Sequence, residues 1–516
     1  MTVARPKTYF PYHIHTMLSN GVTDIDSITD FHDYVDLAQK DGIKNFAFSE
    51  HGSIFNWLKK KEYIESKGMK YVHAIEAYIT NDSNLHKNLV YSATSAYPVY
   101  DKKTNKIKKF DSVKVEYQES KEQVFGNEVR LMAKPTKIFS KKDVPTFNGW
   151  LPIDKKTIKT ERLIKNRDNY HCVLLAKNYD GVKELNRLVS KSFNRDPMDV
   201  HFYYMPRITF DELFETSDNI LITTACLGGA LHNGTPEVIE KFLAFLVKNK
   251  HRCFLEIQHH NCEEQIEYNR MLYKLSLDTG IPLVTGTDSH ALNQDHMAGR
   301  AMLQAAKGVS FPNEDAWDLV FKTTDELIQA YEKQGSLAMS VVYEAINNTV
   351  KMADMIEEFT VDKKPKYPKL YSNPDEVFKK KINEGVIRRG VNKYPNYNEY
   401  KDRIHEEYAT YEHNGAIDFM LLEEDYKREL RNQGVRFGYS RGSVSGSIIA
   451  YLLGITEIDS VKYNLNFQRF MNVERISLAD YDTIVVYNSN VINYQMCELY
   501  YSQVYNLRIG IVGNNN

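Results

Sequence analysis

Two short stretches could build a metal site. His13-Ile14-His15 follows the apolar run Tyr9 to Tyr12, and Asp288-Ser289-His290 follows Leu283-Val284-Thr285 and a short Gly-Thr step. Residues i and i+2 of a strand point to one face, so each pair can present two ligands to one point. Five further apolar runs end in, or contain, a ligand-type residue. They are Asn45 to Phe48 before Glu50-His51, Tyr71 to Ile79 around Glu76, His171 to Leu175, Ile220 to Thr224 before Cys226, and Cys253 to Ile257 before His260. Such runs, interleaved with helix-like stretches, predict a βα barrel whose functional groups lie at the C-terminal ends of its strands. His259 competes with His260 for its place, and Glu50 can orient His51 from behind instead of ligating.

Neutral imidazoles, a bridging carboxylate such as Glu76 and a thiolate such as Cys226 suit zinc, while manganese prefers the oxygen and nitrogen ligands. Clustered divalent ions lower the pKa of water, orient a phosphate and neutralise charge on a leaving group.

These residues carry a family resemblance. His13-x-His15, Ser49-Glu50-His51-Gly52, Glu76-Ala77-Tyr78, His171 in His-Cys-Val-Leu-Leu-Ala-Lys, Cys226-Leu227-Gly228 and Asp288-x-His290 together resemble a polymerase-and-histidinol-phosphatase (PHP) domain. More narrowly they resemble the version that opens the alpha subunits of bacterial DNA polymerase III, the C-family replicative polymerases. The resemblance implies an α/β fold: a PHP-type distorted (βα)7 barrel with an insertion, then a mainly helical region and an incomplete α+β palm. It implies up to three zinc or manganese ions and 3′→5′ exonuclease or other phosphoesterase chemistry. By the same resemblance His13, His15, Glu76 and Asp288 hold one ion, His171 and Cys226 join Glu76 on another, and His51 and His290 hold a third. The family usually continues Ser-x-x-Asp-Gly after its second His. Here the chain runs Ser19-Asn20-Gly21-Val22-Thr23-Asp24, so that carboxylate is either missing or supplied by Asp24.

The barrel is expected over residues 1–295, with a Lys-rich insertion at about 80–168 that is either a solvated excursion or a surface for the DNA backbone. A helical connection is expected over 296–395 and a partial palm over 396–484. In the palm, Gly438 to Ser447 is rich in small residues ahead of an apolar helix, an arrangement that leaves backbone N–H groups available to phosphate. Arg441-Gly442-Ser443, with Leu453-Gly454-Ile455-Thr456 and Phe467-Gln468-Arg469-Phe470, resembles the family's palm entry, which implies that Arg441, Gly442 and Ser443 bind nucleotide phosphates. The family's Asp-x-Asp-x-Asp appears as Asp480-Tyr481-Asp482-Thr483-Ile484, so Ile484 stands at the third carboxylate and the polymerase centre is incomplete. Magnesium is expected there only if the palm is competent. Residues 485–516 turn Tyr/Asn-rich and are expected to be a tail outside the family pattern, as in a truncated polymerase.

At 516 residues, 42% hydrophobic and 12% aromatic, the chain can bury sizeable cores. The net charge of −2 selects no partner. The five cysteines form no CxxC pair, which suits a reducing cytoplasm. No apolar stretch is long enough to span a membrane, and no membrane partner is expected. DNA, as a primer–template or 3′ end, is the expected partner by resemblance, with deoxynucleotides and other replisome proteins. A non-catalytic barrel platform and a stand-alone phosphoesterase for small phosphate esters are the competing readings.

Overall fold

The structure, a computed structural model, describes residues 3–81, 89–101, 103–104, 106–126, 128–140, 144–146, 148–311, 314, 316–362, 369–440, 442–474 and 485–486. The chain forms two units, Met1–Thr360 and Val361–Asn516. In the first, the barrel strands are β1 (Asn45–Phe48) and β2 (Lys70–Thr80), then, after an inserted sheet, β8 (Tyr170–Ala176), β11 (Ile220–Thr223), β12 (Cys253–Ile257) and β13 (Leu283–Thr285). The inserted sheet is β3 (Leu89–Tyr100), β4 (Ile107–Phe125), β5 (Glu128–Ile138), β6 (Leu151–Pro152) and β7 (Lys159–Leu163). A hairpin of β9 (Phe202–Tyr203) and β10 (Met205–Thr209) adds to β2.

The main sheet runs β13-β12-β11-β8-β2-β10-β9, with β1 also on β2. The N-terminal segment carries the curl from β1 round to β13. Pro11 and Ile14 accept from the N–H groups of Ala47 (3.1 Å) and Ser49 (3.0 Å), while His15 N–H donates to Ser289 O (2.8 Å) on the other side. Seven strand-like segments thus surround a core of alternating inward side chains. One departs from a regular βα barrel: β8 is antiparallel to both β2 and β11. The insertion explains this. The chain leaves β2 at the site end of the barrel and returns at the same end, so the next strand must run back. The two ends of the excursion are stapled by Asp168, which accepts from Thr80 Oγ1 (2.7 Å) and Asn81 N (2.8 Å).

The inserted sheet has its own small core around Val113, Val115, Tyr117, Ala133 and Leu151. Much of its basic charge is already paired, as in Lys114–Glu161, Lys155–Glu122, Arg130–Glu128 and Arg162–Glu116.

Helices α1 (Phe31–Lys40), α2 (Trp57–Ser66), α3 (Tyr179–Ser192), α4 (Phe210–Phe214), α5 (Ala230–Asn233), α6 (Pro236–Lys248), α7 (Glu263–Thr279), α8 (Gln294–Lys307), α9 (Thr324–Gln334) and α10 (Met339–Asp354) belong to this unit. This compact unit extends to Thr360 and so takes in helices from the stretch expected to connect the barrel to the palm. Helix α9 opens with a capping box between Thr323 and Glu326 and buries Leu327, Ile328 and Tyr331. Helix α10 buries Val342, Ala345 and Ile346 in the same core. Each large apolar side chain buried this way stabilises by about 1.5–3 kcal/mol, so both helices are part of the barrel unit.

The second unit is helical: α11 (Pro374–Arg389), α12 (Tyr397–His413), α13 (Ile417–Asn432) and α14 (Ile448–Leu453) pack around Phe378, Tyr411, Met420 and Ile449. Gly385 lets α11 lie against α14, since a Cβ there would meet Leu452 O at 2.3 Å. Arg436–Phe437 pairs with Val485–Val486. Among the described residues no helix is long and apolar enough to cross a membrane.

Candidate metal centre

Glu76 is the hub. Its Oε1 lies 3.3 Å from His13 Nε2 and 2.8 Å from His171 Nδ1, and its Oε2 lies 3.3 Å from His15 Nε2 and 2.9 Å from His51 Nδ1. Asp288 Oδ1 faces the same His13 and His15 nitrogens, each at 3.2 Å. Three groups of ligand atoms result: His13, His15, Glu76 and Asp288; His15, Asp26, His51 and His290; and His51, Glu76 and His171.

The local backbone produces this convergence. His13 and His15 are two apart on the segment held between β1 and β13, and Ser289 N–H donates back to His13 O (3.3 Å). Asp288 takes a left-handed conformation (φ 47°), uncommon for a residue with a side chain, as β13 breaks off toward His290. Ala225 (φ 56°) does the same before Cys226. His171 lies at the start of β8, not at a strand's C-terminal end, and pairs in register with Tyr78.

The donor set fits divalent cations. His13 Nε2, His15 Nε2, Asp26 Oδ2, His51 Nδ1, Glu76 Oε2 and Asp288 Oδ1 are buried and have no hydrogen-bond partner. Ligands about 2.0–2.1 Å from a tetrahedral ion lie about 3.3–3.4 Å apart. His13 Nε2 and His15 Nε2 each lie at such a distance from Asp288 Oδ1 (3.2 Å) and from one Glu76 oxygen (3.3 Å), Oε1 for His13 and Oε2 for His15. Electrostatics agree. Burial opposes charge on His13, but Glu256, Asp288 and Glu76 outweigh it and raise its pKa well above the usual value. Burial also opposes charge on Glu76 and Asp288, yet the surrounding histidines hold both well below the carboxylate range. For His15, burial and then His51 and His290 push the pKa down to about 4, leaving a neutral imidazole. Such a cluster of anionic carboxylates around imidazoles favours a positive centre.

The expected residues are placed as follows. His13, His15, His51, Glu76, His171, Asp288 and His290 come together in the three groups. Cys226 Sγ stands beside them, 3.4 Å from His171 Nδ1 and 3.9 Å from Glu76 Oε1, with its thiol pKa raised by burial and then by Asp288 and Glu76. Asp24 is exposed and lies in none of the groups, and Asp26 takes its place. The reason is local. Asn20 Oδ1 accepts from the N–H groups of Asp26 (2.7 Å) and Ser27 (3.1 Å), and Ile25 turns left-handed (φ 52°), which buries the second carboxylate and leaves the first outside. His260 is likewise outside the groups: its Nδ1 accepts from Asp318 N–H (3.1 Å) and its ring stacks on Trp317. Glu50 does not touch the His51 ring. It accepts from Thr16 N (3.0 Å), Thr16 Oγ1 (2.6 Å) and Ser19 Oγ (2.6 Å), is ion-paired with Lys60, and reaches the site through Ser19, whose hydroxyl accepts from His51 N (3.2 Å).

Sequence reasoning missed Glu256. This carboxylate, buried on β12, accepts from His13 Nδ1 at 2.6 Å and so leaves His13 Nε2 free for the centre. The available signal was a lone acid inside the apolar run Cys253 to Ile257.

In the second unit Arg441, Asp480 and Asp482 lie outside the described residues. Gly442 is left-handed (φ 75°) and Ser443 begins a short 3-10 turn. The N–H groups that open α14 are not available to phosphate, contrary to the expectation for this Gly/Ser stretch. Glu407, buried on α12, accepts from Ile448 N (2.9 Å) and Ile449 N (3.0 Å), and Ser447 Oγ accepts from Ala450 N (3.0 Å).

Comparison with known proteins gives the same two parts. Residues 11–260 match the PHP domain, and residues 376–514 match the bacterial DNA polymerase III alpha NTPase domain. The second match runs through the Tyr/Asn-rich stretch from 485 onward, which the sequence reading set outside the family pattern. The DNA polymerase III subunit alpha of Borreliella burgdorferi is 32% identical over 347 residues, covering 64% of this chain and 29% of the relative. That of Aquifex aeolicus is 24% identical over 505 residues, 92% of this chain and 36% of the relative. That of Helicobacter pylori strain 26695 is 29% identical over 415 residues, 69% and 34%. The chain thus spans about a third of the length of these relatives. A solved structure of a proposed metal-dependent phosphoesterase from Bifidobacterium adolescentis covers 56% of this chain and 89% of its own at 12% identity and a TM-score of 0.27, a likeness too slight to carry argument. The chain thus carries a PHP domain followed by a segment that matches the bacterial DNA polymerase III alpha NTPase domain, and over much of its length it is similar to bacterial DNA polymerase III alpha subunits.

Proposed function

We propose that the barrel is a metal-dependent phosphodiesterase acting on DNA 3′ ends within a replication protein. The observation that carries this reading is the set of six buried ligand atoms without hydrogen-bond partners, gathered around Glu76. A site that only held the fold together would need one closed four-coordinate shell, whereas here the ligand groups are three and share His15, His51 and Glu76.

Zinc or manganese ions in these places would lower the pKa of water and neutralise charge on the phosphate. His13, His15, Glu76 and Asp288 would hold one, Asp26, His51 and His290 a second, and Glu76 and His171 with Cys226 a third, the Glu76 carboxylate being the ligand shared between ions. The chain's own residues position and polarise. Glu256 fixes the His13 tautomer, Glu50 and Ser19 hold His15 and His51, and the Tyr78 ring stacks on His51 at 5.6 Å. Gly442 and Ser443 remain candidate phosphate contacts for deoxynucleotides in the second unit, through their own backbone and not through α14.

The test is a 3′-labelled primer–template incubated with manganese or zinc, with and without deoxynucleotides. Shortening without extension is expected, and it should vanish in the double variant His13→Ala, His15→Ala while the helical unit stays folded. No shortening under either metal makes the barrel a structural platform. Extension would overturn the reading of Ile484 as a lost carboxylate.

A further inference from the structure

Beside the metal centre lies a cavity of about 270 Å³ lined by His259, Asn261, Gln294, Trp317, Asp318 and Leu319, among others. It is joined to the centre through backbone, because Leu319 O accepts from the N–H groups of His290 (2.8 Å) and Ala291 (3.1 Å). His259 is 1% exposed, and neither of its ring nitrogens has a hydrogen-bond partner. Its separation from Asp318 Oδ2, 3.8 Å, is too long for a hydrogen bond. A buried imidazole with both nitrogens unpaired is costly unless something else satisfies it.

The lining selects a class of ligand. Burial and then His260 and Lys322 keep His259 neutral, and Lys322 is taken up by Asp318 at 2.8 Å, so the exposed Lys333 at the edge of the lining is the cation that remains. An indole for stacking, two side-chain amides and a neutral imidazole suit an uncharged heterocycle with donors and acceptors on its edge. The volume lies just under the roughly 300 Å³ at which drug-sized pockets begin, a size for one such ring.

We propose that this cavity receives the base of the terminal nucleotide whose phosphodiester lies at the metal centre. The proposal rests on the phosphodiesterase reading and narrows its substrate class from phosphate esters to nucleotides. His259 would bond the base edge from the floor, with Asn261 and Gln294 at the rim and Trp317 against the ring face.

The test is calorimetric titration of the full chain, in manganese, with thymidine 5′-monophosphate, deoxyadenosine 5′-monophosphate and, as the baseless probe, deoxyribose 5-phosphate. The nucleotides should bind about tenfold or more tightly than the sugar phosphate, the scale of one stacking contact. Trp317→Ala should erase that difference and leave sugar-phosphate binding unchanged. Because Trp317 is partly buried, the exposed-site variant Asn261→Leu is measured beside it and should reduce the difference several-fold. Equal affinity for nucleotide and sugar phosphate in the unaltered chain, or a base preference untouched by both variants, would overturn the proposal. Hydrolysis is scored separately. A base preference without primer shortening would sink the phosphodiesterase reading and keep the cavity as a base site, and shortening without base preference would do the reverse.

Discussion

Replacing Glu256 separates two things a buried carboxylate can do, and the structure assigns a size to each. Oε1 accepts from His13 Nδ1 (2.6 Å) and Gln258 Nε2 (2.9 Å), and Oε2 accepts from Tyr12 Oη (2.9 Å) and Thr223 Oγ1 (2.8 Å). In Glu256→Gln the amide oxygen can keep the first pair, while the new NH2 meets two hydroxyls that can turn to accept from it. The His13 tautomer survives and only the negative charge behind it is lost, so zinc affinity should fall about tenfold, the lower end of what such supporting contacts contribute. In Glu256→Leu all four donors lose their acceptor inside the core. At about 1–3 kcal/mol for each group left unsatisfied, the loss is a large part of an ordinary domain's stability of about 5–15 kcal/mol. The assay is competition for zinc against a chromophoric chelator, with thermal unfolding followed on the same samples. Equal zinc affinity in Glu256→Gln and the unaltered chain would refute the argument, as would a Gln variant as damaged as the Leu variant.

Other outcomes follow from the same geometry. Gly286→Ala should reproduce the Glu256→Leu phenotype, because its Cβ would lie 2.0 Å from Glu256 Oε1, and metal analysis with thermal unfolding checks it. Asp26→Asn should lower the number of tightly bound manganese or zinc ions by about one, whereas Asp24→Asn should leave the count unchanged. Away from the site, His201 has its pKa raised to about 8: burial lowers it, but Asp199 and Glu212 outweigh burial. Its folded pKa lies above the unfolded value, so its stabilisation is complete below about pH 6.5 and is lost as pH rises through about 8. The shift corresponds to about 2 kcal/mol, nearer 1 after solvent screening at a partly open site, and His201→Gln should flatten urea-unfolding stability across that window.

The barrel was legible because seven apolar runs each end in or contain a ligand-type residue, and two of them carry a pair spaced by two, a signal that both the strand and the site impose. What lay beyond the sequence depended on contacts between distant segments. Thr23-Asp24-Ile25-Asp26 offers two carboxylates, and only the Asn20 turn and the left-handed Ile25 decide which one faces inward. The Gly/Ser stretch before α14 looks open to phosphate until Glu407, from a helix well upstream, is found on its N–H groups. Helices α9 and α10 read as amphipathic, but periodicity does not say which surface an apolar face covers, so their place in the barrel unit was hidden.

The reversed strand shows how much of the site rests on register. β2 continues past Glu76 to Thr80, and this extra length gives β8 an edge to pair along while running backward. Tyr78 stands opposite His171 and Glu76 opposite Val173, which puts His171 on the Glu76 face and its Nδ1 at 2.8 Å from Oε1. A slip of one residue would turn His171 to the other face and bring Tyr170 or Cys172 to the centre. The apolar alternation of β8 resists that slip, since Cys172 and Leu174 lie in one core cluster and Val173 and Leu175 in another. The Asp168 staple fixes where the strand begins. A ligand can therefore come from a strand running the wrong way, provided the chain that precedes it leaves and returns at the same end of the barrel. The inserted sheet, with its separate core, meets that requirement irrespective of its own surface.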